Sequence, residues 1–281
     1  MRWMVVGANG MLGQDLTTLL TERGETVAGL DRDTVDITDA KASAGIAHGF
    51  DVVVNCAAYT AVDRAEEEEA AAFAVNAVGA ANVARESRAA GARLVHVSTD
   101  YVFDGAGAAP YEEDAPLAPR SAYGRTKAAG EWAVRAECPD HLVVRTAWLY
   151  GANGPCFPPT IVRLARERGA VGVIDDQIGQ PTWTVDLADL LHRLVAAGAP
   201  AGTYHGTSSG RTSWYGLATA AVRSAGLDPS VVHPTTSAAF VRPAPRPAFS
   251  VLGHAALDAV GVEPIDDWAR RWVVAADAVL T

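Results

Sequence analysis

The sequence predicts an α/β fold: a doubly wound parallel sheet with a smaller, interwoven C-terminal lobe. Three observations lead there. Short apolar runs alternate with helical segments through the first half of the chain. Those runs are continuously apolar rather than alternating, as in strands buried on both faces. A glycine-rich turn joins the first run to the first helix, the order expected of a strand–helix–strand sheet.

Trp3-Met4-Val5-Val6 is a buried strand, and Met11 to Arg23 follows as a helix that Gly24 stops. Val27 to Leu30 is a second strand ending at Asp31, and Asp51 to Asn55 is a third. One long helix is expected from Glu66 to Ala90, closed by Gly91. The run Glu66–Glu69 at its start reads as a solvated first turn favoured by the helix dipole. Leu94 to Ser98 is the next strand, Ala122 to Glu137 the next helix, and Leu142 to Arg145 the strand after it. The pattern loosens near Gly151, where GANGPCFPP marks a crossing. The expected division is residues 1–150 and 151–281, with segments of the second part returning to the first. In that lobe Thr160–Arg168, Val185–Ala197 and Trp214–Ala225 read as helices and Val171–Ile174 as a strand. The proline-rich HPTTSAAFVRPAPRPAFSVLG is too long for an idle connection and is expected to be a binding loop.

Composition narrows the function classes. The 281 residues are 49% hydrophobic and 20% charged, enough for a substantial core, and the net charge is -10. An acidic surface argues against nucleic acid as a partner. No apolar run approaches the roughly 20 residues that span a bilayer, and the N-terminal stretch lacks a signal-peptide layout. Cys56, Cys138 and Cys156 are too far apart for a metal knuckle or redox pair and suit a reducing compartment. The expectation is a cytoplasmic protein with neither a membrane nor a resident metal.

Gly7-Ala8-Asn9-Gly10-Met11-Leu12-Gly13 is a GxxGxxG turn between strand and helix. Glycine lets the backbone bend sharply and approach a pyrophosphate, and the helix N-terminus supplies free N–H groups. The first domain is therefore expected to bind a dinucleotide. Asp31 stands where an acid accepts hydrogen bonds from the adenosine ribose. Asp31 opposes a 2′-phosphate, whereas Arg32 beside it suits one, so NADH and NADPH both remain open.

Tyr123 and Lys127 form a YxxxK pair, one helical turn apart. A phenol is protonated at neutral pH and donates a proton to a developing alkoxide; a neighbouring ammonium stabilises the tyrosinate left behind. Ser98-Thr99-Asp100-Tyr101 closes the preceding strand, at the end where such sheets meet ligand. Thr99 is the favoured hydroxyl for a substrate carbonyl, with Ser98 second. Asn55-Cys56-Ala57-Ala58-Tyr59 ends another strand with small residues on which a cofactor can lie. YxxxK alone is common by chance; its weight comes from the glycine turn and the strand-end Ser-Thr-Asp found with it.

With these motifs the chain resembles the extended short-chain dehydrogenase/reductases, and within them the dTDP-4-dehydrorhamnose reductase family. The resemblance is carried by GANGMLG (7–13), NCAAYTAVDRAE (55–66), VNAVGAANVA (75–84), HVSTDYVFDG (96–105) and SAYGRTKAAGE (121–131). It continues through RTAWLYG (145–151), DDQIGQPTW (175–183), TSWYGLA (212–218) and RPAFSVL (246–252). It implies a Rossmann sheet and NAD(P)H-dependent reduction of the C4 keto group of a dTDP-4-keto-6-deoxyhexose. Thr99, Tyr123 and Lys127 match the catalytic trio. Met11, Leu12, Asp31, Ala57, Ala58 and Tyr59 match cofactor-lining positions, and Gly7, Asn9, Gly10, Gly13, Arg32, Asp36, Ile37, Cys56 and Ser98 complete that expected set. Trp148 matches a tryptophan near the sugar and Arg246 lies in the loop meeting the nucleotide end. Asp100, Tyr101 and Phe103 are expected beside the substrate. Some members bind Mg²⁺ at a dimer contact, so a homodimer and a bound Mg²⁺ are among the implications.

Two positions depart from the family pattern: Cys156 and Phe249 stand where amides are usual. Neither replaces an amide's donor and acceptor pair, so the sugar or nucleotide contacts are expected to differ, as in 4-ketoreductases of antibiotic deoxysugars. Two other functions stay open: a cofactor-binding regulatory subunit without turnover, which has no need of the intact trio, and a nucleotide-sugar epimerase using the same Tyr–Lys pair.

Overall fold

The computed structural model describes residues 1–281. In its first half β1 (Arg2–Val6) leads into α1 (Met11–Glu22), β2 (Thr26–Leu30) and β3 (Val52–Asn55). Then α2 (Glu69–Phe73) passes through a π-helical stretch, Ala74–Gly79, into α3 (Ala80–Ala90). β4 (Arg93–Thr99), α4 (Ala122–Glu137) and β5 (His141–Thr146) follow. Beyond β6 (Leu149–Tyr150) come α5 (Phe157–Arg168), β7 (Val171–Ile174), β8 (Ile178–Gly179), β9 (Thr182–Trp183) and α6 (Thr184–Ala196). The rest holds β10 (Gly202–His205), β11 (Ser208–Ser209), β12 (Thr212–Ser213), α7 (Trp214–Ser224), β13 (Val232–Thr235), α8 (Ala255–Ala259), β14 (Ile265–Asp267) and α9 (Trp268–Leu280).

Six strands pair in parallel in the order β10-β5-β4-β3-β1-β2. Successive residues of β1 divide between the two faces, as the period of a strand requires. Trp3 and Val5 enter one core with Leu12, Leu16 and Leu20 of α1 and Leu187, Leu190 and Leu191 of α6. Met4 and Val6 enter the other with Val83 of α3 and Val134 of α4. The strand order reverses at β1, which has β2 on one side and β3 on the other. The crevice outside the carboxyl ends of the strands at that point is where such sheets hold ligands.

A further core joins Ile161 of α5, Leu217 and Val222 of α7, and Trp272 and Val279 of α9. The remainder of the second half does not stay there. Helix α6 packs on α1, and β10 supplies the sheet's sixth strand beside β5.

The structure differs from the sequence reading in three places. The expected helix over 66–90 begins at Glu69, after a separate 3-10 turn at Arg64–Glu66, and is widened by the π stretch. That stretch carries Asn76, whose amide oxygen accepts from Tyr59 N–H at 2.8 Å and whose amide N–H donates to Thr126 Oγ1 at 3.0 Å. The run Glu66–Glu69 is not a solvated first turn. Glu66 accepts from the Ala122 N–H at 2.8 Å, at the free end of α4, and Glu69 chelates Arg125 with two bonds of 2.8 Å. Glu66 serves the dipole of a neighbouring helix, whereas Glu69 stands in the first turn of its own and Glu68 is held by Arg64 and Tyr59. In the proline-rich stretch, residues 232–235 form a strand beside β7, while 248–253 is threaded between the 105–111 loop and Ile178 by backbone bonds.

Candidate active site

The glycine turn is built by close approach. Gly7 has φ 81°, and a Cβ there would lie 2.8 Å from the Ala57 nitrogen and 3.1 Å from the Cys56 carbonyl carbon. A Cβ on Gly13 would collide with the Gly7 carbonyl oxygen. The turn therefore lies directly on the end of β3, and only glycine fits. Gly10 begins α1 without a side-chain cap, which leaves the first N–H groups of the helix, at Met11 and Leu12, free for an anionic group. This cradle fits a dinucleotide diphosphate.

Residues read as cofactor-lining divide into two groups. Asn9 and Gly10 are exposed, and Gly7, Met11, Ala57, Ala58 and Tyr59 are partly exposed around the crevice. Asp31 lines an open groove of ≈ 420 Å³ beside the turn, with Asn9 and Thr34; its carboxylate accepts the Asn9 N–H at 2.5 Å, which ties the turn to the end of β2. Arg32 and Asp36 are exposed nearby, and a bond from the Thr38 hydroxyl holds the Asp36 carboxyl below the usual range. Leu12 and Ile37 are buried in the two sheet cores, so their side chains serve packing.

Tyr123 and Lys127 come to the same crevice from α4. Ser121 caps that helix by accepting the Gly124 N–H at 3.1 Å. Lys127 is 2% exposed and donates to the Val97 carbonyl at 2.7 Å. Burial lowers its pKa to about 8, opposed by the nearby charge of Glu131; the Cys56 thiol is close enough to bear on it as well. Cys56 adjoins Ala57, on which the glycine turn rests, so turn and lysine both meet the end of β3. Burial pushes the Tyr123 phenol up to about 12, a bond with the Thr99 side chain opposes this, and the charge of Asp100 adds to it. Tyr101 meets the Tyr123 ring edge-on with centroids 5.6 Å apart. The pair is thus a protonated phenol beside a largely protonated ammonium at neutral pH.

The strand-end hydroxyls are already engaged. Thr99 Oγ1 donates to Asp100 Oδ1 at 2.9 Å and accepts the Tyr101 N–H at 3.2 Å. Asp100 is 2% exposed with Oδ2 unpartnered, and burial raises its pKa to about 6. Ser98 donates to Glu131 at 2.7 Å, so its proton faces away from the cavity. Phe103 is buried between the Tyr111 ring (centroids 4.4 Å apart) and the Arg145 guanidinium (4.9 Å).

Arg246 lines a cleft of ≈ 180 Å³ with Tyr101, Gly105, Arg120 and Ser121, close to the start of α4. Its charge is already paired. Asp63 holds it at 2.9 Å, together with Arg242 at 3.4 Å and the Ala244 N–H at 3.3 Å. Trp148 has φ 47°, alone among residues other than glycine. It lies flat on Trp214, with centroids 3.7 Å apart, and a Cβ on Gly179 beneath it would come 2.5 Å from the indole. Cys156 precedes α5 without capping it, and Phe249 lies 6.0 Å beneath the Arg211 guanidinium. The structure gives Mg²⁺ no support: no group of three or more His, Cys, Asp or Glu side chains stands together.

Sequence reasoning assigned no role to Asp63, Arg120, Glu131 or Arg145. A signal existed for two of them. Glu131 falls one turn beyond Lys127 on a helix face already committed to the interior, and Arg145 ends an apolar strand run. A charge in such a place requires a buried partner.

Residues 1–279 match the family model described as RmlD substrate binding domain. A dTDP-4-dehydrorhamnose reductase of Streptomyces griseus is 53% identical over 95% of this chain and 90% of its own length. A probable dTDP-4,6-dihydroxy-2-methyloxan-3-one 4-ketoreductase of Streptomyces antibioticus is 50% identical over 95% of this chain and 92% of its own. The crystal structure of dTDP-4-dehydrorhamnose reductase from Bacillus anthracis, in complex with NADP, superposes with a TM-score of 0.93 at 35% identity, covering 98% of each chain. By fold, by motifs and by these matches, the chain belongs to the RmlD family of dTDP-4-dehydrorhamnose reductases.

Proposed function

We propose that this protein reduces the C4 keto group of a dTDP-4-keto-6-deoxyhexose with NADPH in the cytoplasm. The reading is supported by the bond between Tyr123 and Thr99 and by Lys127 lying beside Cys56, at the strand end on which the glycine turn rests. When bound, the nicotinamide supplies the hydride. The chain's own residues do the rest. The turn and the first N–H groups of α1 would hold the diphosphate, and Lys127, with protons to spare beyond its bond to Val97, would bind the ribose of the nicotinamide half. Thr99 turns its hydroxyl from Asp100 to the ketone oxygen. Tyr123 gives that oxygen its proton, and the Lys127 ammonium stabilises the phenolate that remains. Arg246 and Arg120 face the nucleotide diphosphate, where the -10 background makes local cations necessary. Trp148, held on Trp214, offers the sugar a flat apolar wall.

Tyr123→Phe tests this. Turnover followed at the nicotinamide absorbance band should fall by about 10²–10⁴-fold, while cofactor affinity stays close to that of the parent. Undiminished turnover would remove the phenol from the chemistry. A panel of dTDP-4-keto-6-deoxysugars addresses the two missing amides: with Cys156 and Phe249 in place, the rhamnose precursor should not be the preferred substrate.

A further inference from the structure

Glu131 takes no part in the scheme above, yet its carboxylate is 0% exposed and fully partnered. One oxygen accepts from Ser98 Oγ at 2.7 Å and from Arg145 Nε at 2.9 Å. The other accepts from Arg145 Nη2 and Arg135 Nη2, each at 2.9 Å. Arg145 is itself 1% exposed and sits opposite Ser98 in the pairing of β4 with β5. Its remaining N–H groups meet the Glu113 carbonyl at 3.0 Å and His205 Nε2 at 3.3 Å. Apolar residues of equal volume often replace a buried ion pair without loss of stability, so packing alone does not account for the pair.

Its position does. Tyr123, Lys127 and Glu131 follow one another at single-turn intervals on one face of α4. Lys127 holds the carbonyl of Val97 while Glu131 holds the hydroxyl of Ser98. These are consecutive residues, and the next is Thr99. We propose that Glu131, anchored by Arg145 and Arg135, is a positioning residue for the Tyr123–Lys127 pair, clamping the end of β4 to α4 and placing a fixed negative charge beside the buried ammonium. The inference rests on the reading of Tyr123 and Lys127 as the proton-handling pair.

The charges around Lys127 agree with this. Cys56 at the end of β3 is kept neutral by burial, and burial likewise keeps His96 on β4 neutral. Tyr123 is neutral on α4. Arg145 on β5 and Arg135 on α4 are cations. Glu131 is therefore the anion opposing the burial that lowers the lysine. Without it, burial would lower the lysine further.

The test is the pH profile of kcat for Glu131→Gln, Glu131→Asp and Arg135→Gln, with thermal midpoint and NADPH affinity measured alongside. In the parent, activity falls as pH rises through the ionisation of Lys127. Glu131→Gln keeps an acceptor for Ser98 but loses the charge. Its alkaline limb should move down by about one pH unit, which lowers kcat at pH 7 by about twofold and at pH 8 by about fivefold. Glu131→Asp should recover most of the limb, and Arg135→Gln, which removes a cation, should move it upward. A folded Glu131→Gln enzyme with an unmoved limb overturns the proposal, as does an aspartate variant no better than the glutamine one. Should Glu131→Gln fail to fold, Arg135→Gln decides: an upward shift supports the proposal and an unmoved limb overturns it. A Tyr123→Phe enzyme that still turns over sinks the reading of the pair itself. A dead Tyr123→Phe with an unmoved limb in the glutamine variant sinks only the role of Glu131.

Discussion

Gly130 stands three residues beyond Lys127 on α4, and the placing of the proposed reactive pair depends on its missing side chain. There α4 passes the π stretch so closely that a Cβ would fall well inside contact with the Asn76 carbonyl oxygen, with the Asn76 carbonyl carbon at 3.3 Å and His96 Nε2 at 3.6 Å. Neither side can yield freely. Asn76 is tied to Tyr59 and Thr126, and α4 is tied to β4 through Lys127 and Glu131. Restoring ordinary contact in Gly130→Ala requires the helix to move by about 1 Å. Overpacking of this kind costs about 1–3 kcal/mol, and the better helix propensity of alanine returns about 1 kcal/mol. The net loss of about 1–2 kcal/mol should lower the thermal midpoint by only a few degrees in a chain of this length. The effect on catalysis should be larger, because Tyr123 and Lys127 ride on the displaced helix and a 1 Å misplacement costs about 10²-fold in rate. Calorimetry and NADPH oxidation with a dTDP-ketosugar measure the two quantities. An alanine enzyme with the parent's kcat would refute the coupling between this crossing and the reactive pair.

Two further substitutions probe charge. Burial raises Asp100 to about 6, so the folded state holds this proton more tightly than the unfolded chain. Its contribution to stability is fully present below about pH 4 and is lost as pH rises through 6. Asp100→Asn should therefore be more stable than the parent in urea at pH 7, with the gain vanishing towards pH 4; an equal gain at every pH would contradict the assignment. Asp63→Asn keeps an acceptor for the Ala244 N–H but removes the charge that holds Arg246. Calorimetric titration with dTDP should show binding tighter by about threefold to tenfold. Weaker binding would mean that order in the 242–246 segment outweighs charge.

The parallel sheet was legible because strands such as Val52–Asn55 are apolar without interruption, a pattern that only burial on both faces produces. Helix α4 was read to the residue; Ser121 caps it, and Pro139 forces Cys138 into extended backbone at its end. The sixth strand, Gly202–His205, escaped notice: it is short, begins with glycine and owes its existence to the edge of β5 rather than to its own propensity. The π stretch also left no local trace, since its cause is a tertiary bond network around Asn76. The glycine turn and the Tyr–Lys pair were visible because their chemistry depends on fixed spacing along one element. Ion pairs such as Asp63 with Arg246 and Glu131 with Arg145 were not, because each joins separate elements and becomes apparent only when the chain is folded.

The strand that completes the sheet lies beyond the crossing at residue 151. Until residues 202–205 emerge from the ribosome, the apolar edge of β5 is unpaired, and until 184–196 emerge, α1 lacks the helix that covers its flank. Severing the chain at the crossing would therefore not liberate two independent folding units. The two portions should melt as one, and a destabilising lesion in either should lower the stability of both.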